Sequence, residues 1–198
     1  GSLKVLDILS HAASVIAEGE VRQLMTANDT ATSEADYLAV IEAKTAALFA
    51  AAARVGAVLA DRPAEEETAL ERFGHNLGVA FQLVDDMLDF SASESELGKS
   101  IGDDFRDGKI TLPIVVAFAR GDAEERAFWR RTLETGEQAP GDLERALGIL
   151  ERRGALAETL ARARAYAGTA IDALDRFADG PLRRALIEAA VFATERAF

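Results

Sequence analysis

The 198-residue chain contains no cysteine, which excludes a disulfide framework and any thiolate metal site. That is compatible with the cytoplasm, where we expect the protein. Positive charge is short as well: 34 acidic residues against 22 lysines and arginines leave a formal net charge of −12. A nucleic-acid binder would carry the opposite footprint. An anionic ligand must therefore be held by a local cluster of cations rather than by the overall field. No apolar run reaches the roughly 18 residues of a transmembrane segment, and no basic stretch followed by an apolar core opens the chain. Strand-like alternation between hairpin turns, strict heptads and fixed-period repeats are all missing.

What is present is helical periodicity. With 49% hydrophobic and 28% charged residues the composition suits one globular domain over residues 1–198. Over 4–25, Val5, Ile8, Leu9, Ala12, Val15 and Ile16 recur at steps of three and four, the mark of one buried stripe. Ser33, with Glu34 and Asp36 behind it, predicts the start of a second helix over 34–59. That helix would carry Tyr37, Leu38, Ile41, Thr45, Leu48, Phe49 and Ala52 on one side. A third runs over 64–90. A polar segment at 91–109 holds glycines at 98, 102 and 108; loops of that length are uncommon unless functional. Pro113 then sits where a helix's first turn accepts it. Further helices are expected at 122–135, 142–152, 154–178 and 181–197. The fold class is all-α.

The chemistry concentrates at 81–113, FQLVDDMLDFSASESELGKSIGDDFRDGKITLP. Asp85 and Asp89 share a helical face, with Asp86 about 100° round from Asp85. Carboxylates one turn apart repel, and a hard divalent cation such as Mg2+ takes carboxylate oxygens together with water and substrate phosphates. Lys99 and Lys109 each follow a glycine and offer cationic donors to phosphate oxygens. The combined reading is a Mg2+–diphosphate site.

The bland alternative is that acidic residues on a helix decorate a solvated face. Against it, Phe81, Leu83, Val84, Met87, Leu88 and Phe90 surround these aspartates, and carboxylates beside a core need a charge partner. Asp103, Asp104 and Asp107 repeat the spacing in GDDFRDG. Loop aspartates commonly serve turns, so we read this cluster as auxiliary, with Asp103 as its foremost metal candidate. A phosphate loop fails, because five residues separate Gly102 from Gly108 and Ile110 stands where Ser or Thr is required. An EF-hand fails for want of alternating acids and a terminal Glu. His11 and His75 are read as structural.

These segments resemble those of the trans-polyprenyl diphosphate synthases, all-α isoprenoid synthases. FQLVDDMLDF at 81–90 is similar to the family's second aspartate-rich motif, and LGKSIGDDFRDGKITLP at 97–113 to its lysine-bearing loop. IAEGEVRQL at 16–24 and EAKTAALF at 42–49 resemble two further segments in the same order. The resemblance implies the isoprenoid synthase helical bundle, with Asp85 a direct Mg2+ ligand and Asp86 and Asp89 completing the metal and water shell. It implies that Lys44, Lys99 and Lys109 contact an allylic prenyl diphosphate, while Thr45 and Gln82 line the site beside the reacting carbon. Gln23 takes a further pocket position.

The implied activity is condensation of that substrate with isopentenyl diphosphate, in a homodimer to which helices 4–25 and 34–60 contribute. The motif wording is more like long-chain octaprenyl and decaprenyl synthases of quinone side chains than like farnesyl synthases. The family's first aspartate-rich motif and the basic residues that hold isopentenyl diphosphate are not found in the sequence. The chain is thus expected to be the C-terminal part of a longer synthase, incomplete at its N-terminus and inactive alone. The rival reading is a non-catalytic partner subunit or regulatory homologue, against which the intact Asp85, Asp86, Asp89, Lys44 and Lys99 argue. A terpene cyclase would usually lack the lysine loop.

Overall fold

The computed structural model describes residues 1–91 and 101–195; Lys99 lies outside the described residues. Helix α1, Leu3–Thr26, starts where the Ser2 hydroxyl accepts a hydrogen bond from the Val5 N–H. Ile8 and Ala12 of the expected stripe are buried, whereas Leu9 is 44% exposed. Helix α2, Glu34–Ile41, opens on a full capping box between Ser33 and Asp36, which satisfies two otherwise orphaned N–H groups.

The predicted helix over 34–59 is interrupted. After α2 comes a π-helical turn, Glu42–Ala46, and only then α3, Ala47–Leu59. One extra residue in a turn rotates everything beyond it by about 100°. Leu48 and Ala52 consequently leave the expected face for solvent, and Ala50, Ala51 and Ala57 are buried in their place.

Helix α4, Ala64–Leu88, carries Glu65, Glu66 and Glu67 in its first turn, where the helix dipole favours negative charge. It lies against α3 so closely that a side chain at Gly78 would meet Ala46 Cα at 2.7 Å, and one at Gly74 the Phe49 carbonyl oxygen at 2.3 Å. The two glycines are what permit this approach.

The remaining helices are α5 (Asp103–Arg106), α6 (Leu112–Arg120), α7 (Ala123–Trp129), α8 (Asp142–Arg152), α9 (Ala155–Ala173) and α10 (Pro181–Glu195). The expected helix at 122–135 ends in a second π-helical turn, Arg130–Glu134. The expected 154–178 helix stops at Ala173, beyond which Leu174 and Asp175 close tighter turns on Ile171 and Asp172. Because Leu174 is itself fully buried, the apolar stripe runs past the helix end and conceals it. Among the described residues there is no strand, and no helix is long and apolar enough to cross a membrane.

Helix α4 is central. Its buried Val79, Leu83, Val84 and Met87 join Leu112, Ile114, Trp129, Leu133, Ile149 and Leu150 in the largest core cluster. Phe105, Phe128 and Trp129 stack within it, with centroids 5.2 to 6.4 Å apart. A second cluster ties Phe73 of α4 to Leu174 and to Ala190 of α10, and a third seats Ile8 and Ala12 of α1 on Ala51 of α3. The end of α4 bearing the aspartates is thereby held rigidly.

Candidate active site

The last two turns of α4 carry Gln82, Asp85 and Asp86, with Asp89 at its C-cap, beside Leu83, Val84 and Met87, which are at most 4% exposed. Asp85 is half-buried and lines a cleft of about 170 Å3 together with Lys44, Thr45, Gln82, Asp86, Asp104 and Lys109. Asp86 is turned inward and only 5% exposed. Its Oδ2 accepts from the Tyr37 hydroxyl at 2.6 Å and its Oδ1 from Gln82 Nε2 at 2.7 Å. Burial pushes its carboxyl up to about 7, against the downward pull of those hydrogen bonds, with the Asp104 and Asp85 charges adding to the rise. Burial and the Asp104 charge likewise raise Asp89 to about 6, although its Oδ2 accepts from the Asp104 N–H at 3.1 Å.

Lys44 and Thr45 stand on the π-helical turn, a feature that recurs at functional sites because it redirects side chains. Lys44 Nζ donates to Gln23 Oε1 of α1 at 2.6 Å and lies 3.1 Å from Glu20. The Thr45 hydroxyl donates to Gln82 Oε1 at 2.9 Å. Residues from α1, the π turn and α4 thus converge, as the sequence led us to expect for Gln23, Lys44, Thr45, Gln82 and Asp85.

Lys109 approaches from the other side, on the turn that follows α5. Its Nζ lies 2.7 Å from Asp104 and 3.3 Å from Asp107. Burial pulls the ammonium down, but the hydrogen bond and charge of Asp104, aided by Asp107, outweigh it and leave the group raised. The turn is pinned to the end of α1: Asn28, in a left-handed conformation (φ 60°), donates its N–H to the Gly108 carbonyl at 3.0 Å. Gly108 is left-handed too (φ 68°), and a Cβ there would come within 2.0 Å of Asn28 Oδ1.

In the GDDFRDG segment the structure brings Asp104 to the cleft, whereas Asp103 pairs with Arg106 at 2.9 Å. Of the two aspartates, Asp104 is the one that lines the cleft. The cause is that α5 is anchored by Phe105, 1% exposed in the aromatic cluster, which sets Asp103 and Asp104 on different sides of the turn. Tyr37 and Thr111 also line the cleft and Asn28 holds the Lys109 turn, and none of the three was named as a site residue from the sequence. Tyr37 read as a core residue, because its hydroxyl's partner lies 49 positions away. Thr111 lines the cleft, and its buried Oγ1 has no hydrogen-bond partner. Pro113 removes one N–H that a capping threonine would otherwise take.

Among the described residues no three of His, Cys, Asp and Glu close on a single ion position. The donor set is instead one that supplies a carboxylate or two and leaves further positions to phosphate oxygens and water, the habit of Mg2+ rather than of a fully caged ion.

An all-α bundle with carboxylates and lysines facing one another at the end of its central helix has the isoprenoid synthase fold of its structural neighbours. The chain belongs to the polyprenyl synthetase family, whose model matches residues 1–150. It is 45% identical over 196 residues to an octaprenyl diphosphate synthase of Escherichia coli, covering 99% of this chain and 60% of that one. A solved polyprenyl synthase of Caulobacter crescentus, complexed with calcium and isoprenyl diphosphate, superposes with a TM-score of 0.96 at 48% identity, covering 100% of this chain and 60% of that one. A decaprenyl diphosphate synthase of Rhodobacter capsulatus gives 0.94 at 45%, with 100% and 61% covered. The chain spans 59% to 60% of the length of the octaprenyl synthases of Haemophilus influenzae and E. coli.

Proposed function

We propose that this chain carries the allylic-diphosphate half of a chain-elongating prenyltransferase. The reaction is condensation of an allylic prenyl diphosphate with isopentenyl diphosphate into a longer all-trans polyprenyl diphosphate, of octaprenyl to decaprenyl length and destined for a quinone side chain. The observation that carries this reading is one cleft lined by Lys44, Lys109 and Asp85, whose carboxylate takes no hydrogen bond or ion pair from a side chain among the described residues. The octaprenyl relatives and the isoprenyl diphosphate in the Caulobacter structure support the substrate class.

Mg2+ fits the donor set, with Asp85 and Asp89 as its carboxylates. What the cation supplies is neutralisation of the charge that gathers on the departing diphosphate. Lys44 and Lys109, with Lys99, bind the same diphosphate oxygens and hold the leaving group in register. Asp86 has both oxygens engaged by Tyr37 and Gln82, and we assign it to bracing rather than to the ion. As the allylic C–O bond breaks, the Thr45 and Gln82 oxygens face the electron-poor carbon. The isopentenyl double bond then forms the new C–C bond, and the proton lost afterwards goes to the released diphosphate.

Further along α1, α3 and α4 a groove of about 610 Å3 is lined by Ala43, Ala47, Ala50 and Ala51 together with charged residues such as Glu18, Arg22, Arg54 and Glu71. Helix α1 also leaves Leu3, Leu6, Val21, Leu24 and Met25 more than half exposed, an apolar face suited to a homodimer contact. The experiment is incorporation of labelled isopentenyl diphosphate by the full-length protein, with farnesyl diphosphate as primer and Mg2+ present. Octaprenyl or decaprenyl products are expected. A folded protein that binds neither substrate would overturn the reading.

A further inference from the structure

Tyr37, Asp86, Gln82 and Thr45 form an unbroken hydrogen-bonded chain across three elements, α2, α4 and the π-helical turn. The Tyr37 hydroxyl donates to Asp86 Oδ2 at 2.6 Å, Gln82 Nε2 donates to Asp86 Oδ1 at 2.7 Å, and the Thr45 hydroxyl donates to Gln82 Oε1 at 2.9 Å. The directions follow from what each group can do. With both oxygens of Asp86 accepting, the amide turns its nitrogen to Asp86, and its oxygen is left on the Thr45 side.

That orientation matters because the two ends of an amide have opposite polarity. Thr45 occupies one of the two lone pairs of Oε1 and leaves the other unused by it, and Gln82 and Thr45 both line the cleft. An oxygen lone pair stabilises a carbon that becomes electron-poor. A flipped amide would present N–H groups of the wrong sign. Asp86 is 5% exposed, Tyr37 is 4% exposed, and no lysine or arginine pairs with Asp86 among the described residues, so both of its partners are neutral donors.

We propose that Tyr37, acting through Asp86, is a positioning residue that fixes which end of the Gln82 amide faces the reacting carbon. The proposal rests on the reading of the cleft as an allylic diphosphate site. Tyr37 touches neither Gln82 nor Thr45 through a hydrogen bond, so any influence it has on the reacting carbon must travel through Asp86.

A double-mutant cycle tests it. Tyr37→Phe keeps the ring in the core and removes only the hydroxyl; Thr45→Val keeps the branched shape and removes the other terminal donor. In the full-length protein, kcat and the KM for both substrates are measured for each variant and the pair, with thermal unfolding alongside. If both act on the amide of Gln82, each single variant lowers kcat about tenfold with KM within about twofold, and the pair loses little more than either alone. Independent losses multiplying to about a hundredfold, or a loss in Tyr37→Phe that merely tracks unfolding, would overturn the positioning role. Unchanged turnover in Thr45→Val alone would sink the reading of the cleft, and the proposal with it. A second measurement needs no variant: one Gln82 side-chain amide proton in the wild-type protein must resonate downfield and exchange slowly, as a donor to a carboxylate does. Two equivalent, rapidly exchanging protons would overturn the proposal on their own.

Discussion

Asp86 in the cleft and Asp142 at the start of α8 are both nearly buried, 5% and 8% exposed, yet they are held in opposite ways. Asp142 accepts two hydrogen bonds from the Arg131 guanidinium, at 2.8 and 3.0 Å, and one from the Ala139 N–H at 2.7 Å. The Arg131 bond, seconded by Ala139, keeps its carboxyl below the usual range. Glu125 is treated alike by Arg153 and Arg152. Asp86 has only a phenol and an amide, and burial drives it up to about 7. The scaffold neutralises Asp142 and Glu125 with its own arginines, while among the described residues Asp86 has no cationic partner. That difference fits the proposed site for an external cation.

The strongest way to break the comparison is to remove the carboxylate facing the cleft. Asp85→Ala should lower turnover by on the order of a hundred- to a thousandfold, the scale of losing one group that stabilises transition-state charge. Circular dichroism should stay helical, since Ala favours helix. Unchanged turnover would remove Asp85 from the chemistry.

Next in size is the pH dependence of the metal-free protein. Asp86 and Asp89 have folded values of about 7 and about 6, above the ordinary 3.8. A raised carboxyl contributes stability that is complete below its unfolded pKa and is lost as pH rises through the folded value. With chelator present, the melting temperature should therefore fall between about pH 4 and pH 7. Asp142 and Glu125 have the opposite sign: their lowered values give stability above the ordinary carboxyl range that is lost as pH falls below it. Mg2+ with diphosphate should flatten the neutral slope and leave the acidic one. A neutral slope unaffected by both ligands would separate the cleft carboxylates from cation binding.

A smaller effect is expected where the two regions meet. Gly108→Ala places a Cβ 2.0 Å from Asn28 Oδ1 in a left-handed conformation, costing about 1–2 kcal/mol from the backbone alone. Adding Asn28→Gly should relieve the contact, but not the backbone strain, and recover part of the diphosphate affinity. No recovery would mean that the Asn28 side chain does not set the Lys109 turn. Smallest is Arg131→Ala, which leaves Asp142 without its guanidinium. The loss of stability should be small, because Arg131 is itself 38% exposed and its pair with Asp142 is screened. Turnover per folded molecule should not change.

Much of this was legible in the sequence. Long periodic stripes and the Ser33 capping box announce α1, α2 and α4, and the aspartate spacing with its apolar flanks announces the cleft end of α4. The π turn was not legible, because its residues EAKTA are ordinary helix formers and only packing of α1 and α4 around them selects the wider turn. Leu48 was assigned inward for that reason. Asp103 and Asp104 are indistinguishable in composition, and Phe105 alone, by burying itself, decides which of them meets the cleft. Tyr37 and Asn28 act on partners 49 and 80 positions away, a pairing that periodicity cannot reveal.

The central claim is that Asp85, Lys44 and Lys109 make a site for a divalent cation and a diphosphate together. Calorimetric titration of the full chain with a non-reactive allylic thiodiphosphate, with Mg2+ and then with chelator, tests it most directly. Binding should require Mg2+, and Lys109→Gln should weaken it by about tenfold, the scale of one charge-assisted hydrogen bond. Equal affinity with and without Mg2+, in both the wild-type chain and the Lys109→Gln variant, would contradict it.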